Sequence, residues 1–333
     1  MRIFSSLLMT LLLGGSAAAD LARDGSWARA DVVPVEATVT SSSPFLLAEV
    51  GTDAAPAQAA SVTYYPAVGA SAERPAPAAI LLHGAGGVSR VREGRYAEEL
   101  AGQGVAVAVI DVFGPRGGGG FIERLMRVTE AMALADAFAT LAWLDARPEV
   151  DARRTALIGF SYGAMSTIYA AYRQVVEAYS PPLTFAAHVA FYGPCVARFE
   201  DPRTTGAPVL MLWGDRDAIV DPKECEVLAE DLRDGGSRVE IGRFDARHRW
   251  DGSRRQWKAP VHIAACRFTV APDNTIRDAF TTLEMTNTET RATILSLCAD
   301  RDGYLIGGDE SVRRLSNRAL AGFLNPILFP PGD

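Results

Sequence analysis

The pentapeptide Gly159-Phe160-Ser161-Tyr162-Gly163 sets a hydroxyl between two glycines. Where a strand runs into such a turn and a helix leaves it, the turn presents the serine as a nucleophile for a carbonyl carbon. A serine hydroxyl attacks poorly until a base takes its proton, so a histidine has to be found. The chain has four. His83 stands in an H-G-A-G-G run and reads as structural, His188 lies inside an apolar run, and His262 falls in an irregular C-terminal stretch. His248 follows a predicted strand, sits in a loop and comes after Ser161, which suits a nucleophile, acid, base order along the chain.

The acid should lie at a strand end between the two, where it can hold the imidazole in the tautomer that accepts the serine proton. LMLWGDRDAIVD offers Asp215, Asp217 and Asp221. Gly214 to Asp217 has the G-x-x-D spacing expected of an acid loop, which selects Asp217. Asp215 then reads as a turn residue and Asp221, followed by Pro222, as a helix N-cap. The run His83-Gly84-Ala85-Gly86-Gly87 has the small residues that let a backbone N–H approach a substrate oxygen. The N–H groups of Ala85 and Tyr162 are therefore the candidate oxyanion hole. Phosphate binding is the rival use of such a run, but no Lys-Ser/Thr follows and the G-x-G-x-x-G spacing is missing.

These residues need a scaffold that brings strand ends together. Short, nearly continuous apolar runs occur at SVTYYPAV, AAILLHG, VAVAVIDVFG, TALIGFS, AAHVAFYG and PVLMLWGD, as strands buried on both faces require. Helical periodicity separates them at Arg92 to Gln103, Phe121 to Ala146, Tyr162 to Tyr179 and Pro222 to Asp234, with a last amphipathic helix at Glu310 to Leu324. Alternating strand and helix implies a mostly parallel sheet with helices on both faces, its ligands meeting the carboxyl ends of the strands. Residues 20–60 read as an N-terminal lead-in carrying edge strands, and 61–333 as one α/β domain with an irregular elaboration at about 258–308. Gly117 to Gly120 reads as a loop.

Residues 1–19 hold one positive charge at Arg2, an apolar run from Ile3 to Leu13, and Ala17-Ala18-Ala19. That is the pattern of a cleavable secretory signal peptide, too short in its apolar run to span a bilayer, which points to a secreted or periplasmic protein without stable membrane insertion. The formal net charge of −7, on a chain 22% charged, argues against a nucleic-acid partner. The cysteines, Cys195, Cys225, Cys266 and Cys298, are even in number and form no C-x-x-C or Cys/His cluster, so disulfides are expected and a metal is not. Cys195 follows the FYG strand and Cys225 lies in the first turn of the helix after the next strand, at one edge of the sheet. This pairs Cys195 with Cys225 and leaves Cys266 with Cys298.

Taken together, LLHGAGG, IDVFGPRG, GFSYGA, FYGPC, WGDRDAIVDPKEC and HRWD resemble the dienelactone hydrolase family of the α/β-hydrolase superfamily, over roughly Ser61 to Asp251. The resemblance implies the triad Ser161, Asp217 and His248, a small-molecule ester or lactone substrate, and no cofactor. It also implies departures, since the founding enzymes use cysteine where Ser161 stands and lack both the signal peptide and the Cys266 to Cys298 segment. A prolyl-oligopeptidase-type peptidase shares these motifs but has no room here for its propeller; a binding protein without turnover is the alternative of another class. Phe113, Phe160, Tyr162, Trp213 and Trp250 flank the predicted strand ends and are the candidate pocket walls.

Overall fold

The computed structural model describes residues 20–330 apart from 118 and 254. The signal peptide read at residues 1–19 lies outside the described residues, as does Gly118 of the glycine loop. The lead-in contributes β1 (Val35–Ser42), antiparallel to β2 (Ala57–Tyr65), which in turn runs antiparallel to the strand at Ala106–Asp111. From there β3 (Ala76–Leu82), β4 (Ala106–Asp111), β5 (Val150–Phe160), β6 (Ala187–Phe191), β8 (Val209–Gly214) and β9 (Val239–Phe244) pair in parallel. The order across this eight-stranded sheet is β1-β2-β4-β3-β5-β6-β8-β9. All residues of β3 are buried, as a central strand covered on both faces must be, and its sequence APAAILL supplies no polar side chain that would object.

The covering helices are α1 (Arg95–Gly102), α2 (Phe121–Arg127), α3 (Glu130–Asp145), α4 (Tyr162–Tyr169), α5 (Arg173–Tyr179) and α6 (Pro222–Asp234). Two helices expected as single runs are each broken in two, and tertiary contacts explain both breaks. At Val128 and Thr129 the backbone turns extended and the Val128 carbonyl accepts the Tyr162 hydroxyl at 3.1 Å. Two adjacent β-branched residues make that a weak point in any helix. At Tyr172 the ring stacks on Phe199 at 4.1 Å and the Ala171 carbonyl accepts from Thr205 N–H, which pulls the chain out of the helical path. One turn of π-helix, Arg90–Gly94, also replaces the expected start of α1.

A short strand β7 (Ala197–Phe199) leaves the main sheet to pair in parallel with β11 (Phe268–Val270). It thereby joins the small sheet of the C-terminal excursion, which runs through β10 (Trp257–Ala259), β11, β12 (Ile276–Asp278), β13 (Glu284–Met285), α7 (Thr288–Cys298) and β14 (Tyr304–Ile306). Strands of two or three residues carry no readable period, which is why this stretch looks irregular in the sequence. β10 and β14 pair with each other, so the excursion starts and ends at neighbouring points.

The last helix, α8 (Glu310–Leu328), begins at Asp309, whose side chain accepts from Ser311 and Val312 N–H, and runs one turn further than expected. It docks through a buried ion pair of Arg313 with Glu99 at 2.6 Å, the guanidinium lying over Tyr96 at 4.4 Å. Each charge is expensive to bury alone, so the pair fixes where α8 sits more than how stable the fold is. No helix among the described residues is long and apolar enough to cross a membrane.

Cys195 is bonded to Cys225, with Cα atoms 5.1 Å apart, and Cys266 to Cys298 at 4.9 Å. The bridges close loops with sequence separations of 30 and 32 residues. Closing loops of that length restricts the unfolded chain by an amount worth about 3 to 4 kcal/mol each. Chemical unfolding with and without reductant should show a loss of that order per bridge, with non-reducing peptide maps recovering these two pairs.

His188 is buried in β6, and that burial depresses its pKa to about 4 from the usual 6.5. Below pH 6.5 the unfolded chain takes a proton on this imidazole that the folded chain refuses, so its contribution is present above 6.5 and fades as pH falls toward 4. From pH 7 to pH 5 the loss should be roughly 2 kcal/mol. Unfolding curves of the wild type should show this loss relative to His188→Leu, and parallel pH profiles of the two proteins would refute it.

Candidate active site

β5 ends in the sequence LIGF and α4 begins with YGAM, leaving Ser161 alone to turn the chain. Its backbone sits at φ 54° and ψ −111°, outside the regions a serine prefers. Neighbours hold it there: Ser161 N–H donates to the Phe191 carbonyl at 2.9 Å and Gly163 N–H to the His83 carbonyl at 3.1 Å. Glycine is needed on both sides. A Cβ at Gly159 would run into the Gly163 carbonyl and the Thr167 hydroxyl, and one at Gly163 into the carbonyls of Leu82 and His83.

The imidazole of His248 faces this serine, its Nε2 2.9 Å from Ser161 Oγ. On the other side of the ring Nδ1 lies 2.7 Å from Asp217 Oδ2. A carboxylate there makes Nδ1 the protonated nitrogen and leaves Nε2 to accept from the hydroxyl. Asp217 follows β8, and its other oxygen, Oδ1, accepts the Ile219 N–H at 3.0 Å, which keeps Oδ2 turned to the histidine. All three side chains are buried, with Ser161 the most accessible at 9%.

The remaining aspartates of that loop do other things. Asp215 is partly exposed and ion-paired with Arg243 at 2.7 Å, while Asp221 accepts from Lys223 N–H as the N-cap of α6. The Cys195–Cys225 bridge joins the loop after β6 to the first turns of α6, so it braces the segment that carries Asp217.

His83 does not reach Ser161. Its Nδ1 donates to the Gly84 carbonyl at 2.8 Å, and its Nε2 accepts the Val112 N–H at 3.1 Å. Burial lowers its pKa, so the ring stays neutral and serves to hold the loops after β3 and β4 together. That loop passes directly over Ser161: a Cβ on Gly84 would lie 3.4 Å from Ser161 Cβ. Ala85 and Tyr162 both border the cavity into which Ser161 opens.

Of the five aromatic residues expected to wall the pocket, the structure places only Tyr162 on it. Phe160, Trp213 and Trp250 are core residues, each no more than 1% exposed. Phe160 packs between Tyr96 and Phe191, and Trp250 lies across Tyr192 while its indole N–H donates to Ser316. Phe113 packs on His83 and Tyr162. Side chains on a sheet with both faces covered point into the layers of helices, so closeness to a strand end did not give access to the cavity. The walls come instead from α2, α3, the loop after β6, and above all the excursion between β10 and β14.

Two neighbours of His248 were missed as well. Tyr192 sets its ring edge against the imidazole at 4.6 Å and donates its hydroxyl to buried Asp251 at 2.6 Å. Burial raises the pKa of that carboxyl, and Arg92 nearby works against the rise. Tyr304 of β14 approaches the imidazole from the other direction, centroids 5.6 Å apart. Tyr192 and Asp251 lie in the FYGPC and HRWD runs quoted above, but contact with the imidazole has no signature in spacing. Among the described residues no group of His, Cys, Asp or Glu side chains is arranged to hold a metal ion.

No curated protein matches this sequence. Among solved structures it is similar to a putative dienelactone hydrolase from Klebsiella pneumoniae, 21% identical over 66% of this chain and 88% of that one, with a TM-score of 0.47. A dienelactone hydrolase-like promiscuous phosphotriesterase from metagenomic libraries is 20% identical over 65% of this chain and 84% of that one, with a TM-score of 0.49. Esterase 2 of Thermogutta terrifontis is 18% identical over 64% and 85%, with a TM-score of 0.49. The model of the dienelactone hydrolase family matches residues 63–267, more than half of the chain, from the end of β2 to beyond His248. The chain belongs to the dienelactone hydrolase family of ester hydrolases.

Proposed function

We propose that the protein is a secreted serine hydrolase that cleaves carboxylic esters or lactones through an acyl-enzyme. The observation that carries this reading is the unbroken hydrogen-bonded chain from Ser161 Oγ through His248 to Asp217. In the first step Ser161 Oγ bonds to the carbonyl carbon while His248 Nε2 takes its proton. The carbonyl oxygen, now an anion, is held by the backbone N–H groups of Ala85 and Tyr162. Collapse breaks the bond to the alkoxy oxygen, which leaves with the proton from His248. Water, deprotonated by the same nitrogen, then attacks the acyl carbon; the bond to Ser161 Oγ breaks, His248 Nε2 returns the proton to that oxygen, and the acid is released. Asp217 stabilises the imidazolium in both halves without itself being protonated.

A serine in place of the cysteine of the founding enzymes makes this base indispensable, because a hydroxyl is hardly ionised at neutral pH. Export is part of the proposal. It draws on the signal-like residues 1–19 and on two disulfides, which persist in oxidising compartments.

Ser161→Ala and His248→Ala should each lower kcat/KM on a simple acyl ester by at least ~10³-fold with the thermal unfolding midpoint little changed. More than a tenth of the wild-type rate in either variant would remove that residue from the mechanism.

Asp217→Asn should cost at least about a hundredfold by turning the imidazole to the wrong tautomer, whereas Asp215→Asn should stay within about threefold. Steady-state kinetics on the two variants decide between them, and a reversed outcome transfers the role of acid to Asp215.

A further inference from the structure

Ser161 opens into a cavity of about 640 Å³. Its inner wall is core, including Ala85, Met165 and Ile219, and its outer wall is the excursion, with Phe268, Met285 and Leu295 facing in. Carbon dominates the surface. The charges on it are few, and the deepest are closed on each other: Glu130 of α3 binds Arg291 of α7 at 3.2 and 3.3 Å, and the Arg291 Nε also donates to the Leu125 carbonyl. Arg291 is 7% exposed, so that pair offers a substrate neither a free cation nor a free carboxylate. Arg301 borders the cavity too but is exposed to solvent.

A hydrolase of small polar lactones has no use for so large an apolar chamber. Apolar walls raise the rate only for a substrate that gives them apolar surface to cover, and they repel a charged one that must shed its water. The chamber also has one fixed tenant across both half-reactions. The alcohol leaves after acylation and has to be replaced by water, while the acyl group stays bonded to Ser161 until the second step. An apolar wall beside Ser161 suits the part that stays.

We infer that the substrates are neutral esters of a large apolar acyl group, an alkyl chain of about eight carbons or more, held between the sheet and the excursion. This rests on Ser161 being the nucleophile. The excursion is thereby the element that sets specificity, fastened over the site by the Glu130–Arg291 pair and by the pairing of β11 with β7, and braced within itself by the Cys266–Cys298 bridge. Each methylene that the cavity covers in the transition state is worth up to about fourfold in kcat/KM.

The test uses the mature, disulfide-bonded protein and the isomers ethyl octanoate and octyl acetate, both below their aggregation limits. They share one composition and differ only in which side of the ester carries the chain. Ethyl octanoate should be the better substrate by at least tenfold in kcat/KM, and Leu295→Trp, which fills the outer wall, should reduce that ratio at least fivefold. Equal rates, or a preference for octyl acetate, would overturn the acyl assignment even if Leu295→Trp could not be folded. A fluorophosphonate probe keeps the two levels apart. Labelling of Ser161 with no preference for the octanoyl ester leaves the nucleophile standing and removes the substrate class; absence of labelling and of all ester turnover removes both.

Discussion

Ser161 is held at φ 54° and ψ −111°, a conformation that costs a residue with a side chain about 1–3 kcal/mol and persists only where its surroundings over-determine it. The surroundings here are the strands on both sides of β5 and the loop after β3. The Phe191 carbonyl takes the serine N–H, the His83 carbonyl takes that of Gly163, and the glycines let three segments pass at backbone contact. His83 is in turn locked by the Val112 N–H at the end of β4. The strain at one residue is thus distributed over β3, β4, β5 and β6, and the parallel pairing of these strands is what makes the bend tenable.

His248 and Asp217 reach the serine from further along the sheet, on loops with little regular structure of their own. They are steadied differently. Asp217 is set by a backbone N–H two residues on and by a bridge from the loop after β6 into α6. His248 is wedged between Tyr192 and Tyr304, one from the core and one from the excursion, and its carbonyl accepts the Gly307 N–H. The excursion therefore touches the imidazole as well as walling the cavity.

Much of this was readable in the residues. Buried parallel strands announce themselves as unbroken apolar runs, and β3, β4, β5, β6 and β8 all fall on such runs. The serine stood out because glycines, strand and helix all had to coincide there, and the histidine because only four were on offer. Asp217 needed a spacing argument against two neighbours in the same loop. What stayed hidden depends on contacts between distant parts of the chain. The breaks before α3 and α5 come from a Tyr162 hydroxyl and a Tyr172 ring finding partners outside their own helices. The pocket walls come from three-residue strands and from α7, whose buried side of Arg291, Ile294 and Leu295 includes a charge that only its Glu130 partner explains.

The pairing of β10 with β14 has a wider consequence. Trp257 lies opposite Ile306, so the chain departs from the hydrolase scaffold and rejoins it at adjacent points, and the bridge from Cys266 to Cys298 ties the intervening stretch to itself. Replacing such a stretch would leave its ends where they were and ask nothing of the strained serine. It does ask something of the histidine: any replacement has to keep a side chain where the Tyr304 ring meets the His248 imidazole, so the cavity wall and the setting of that ring can change only together.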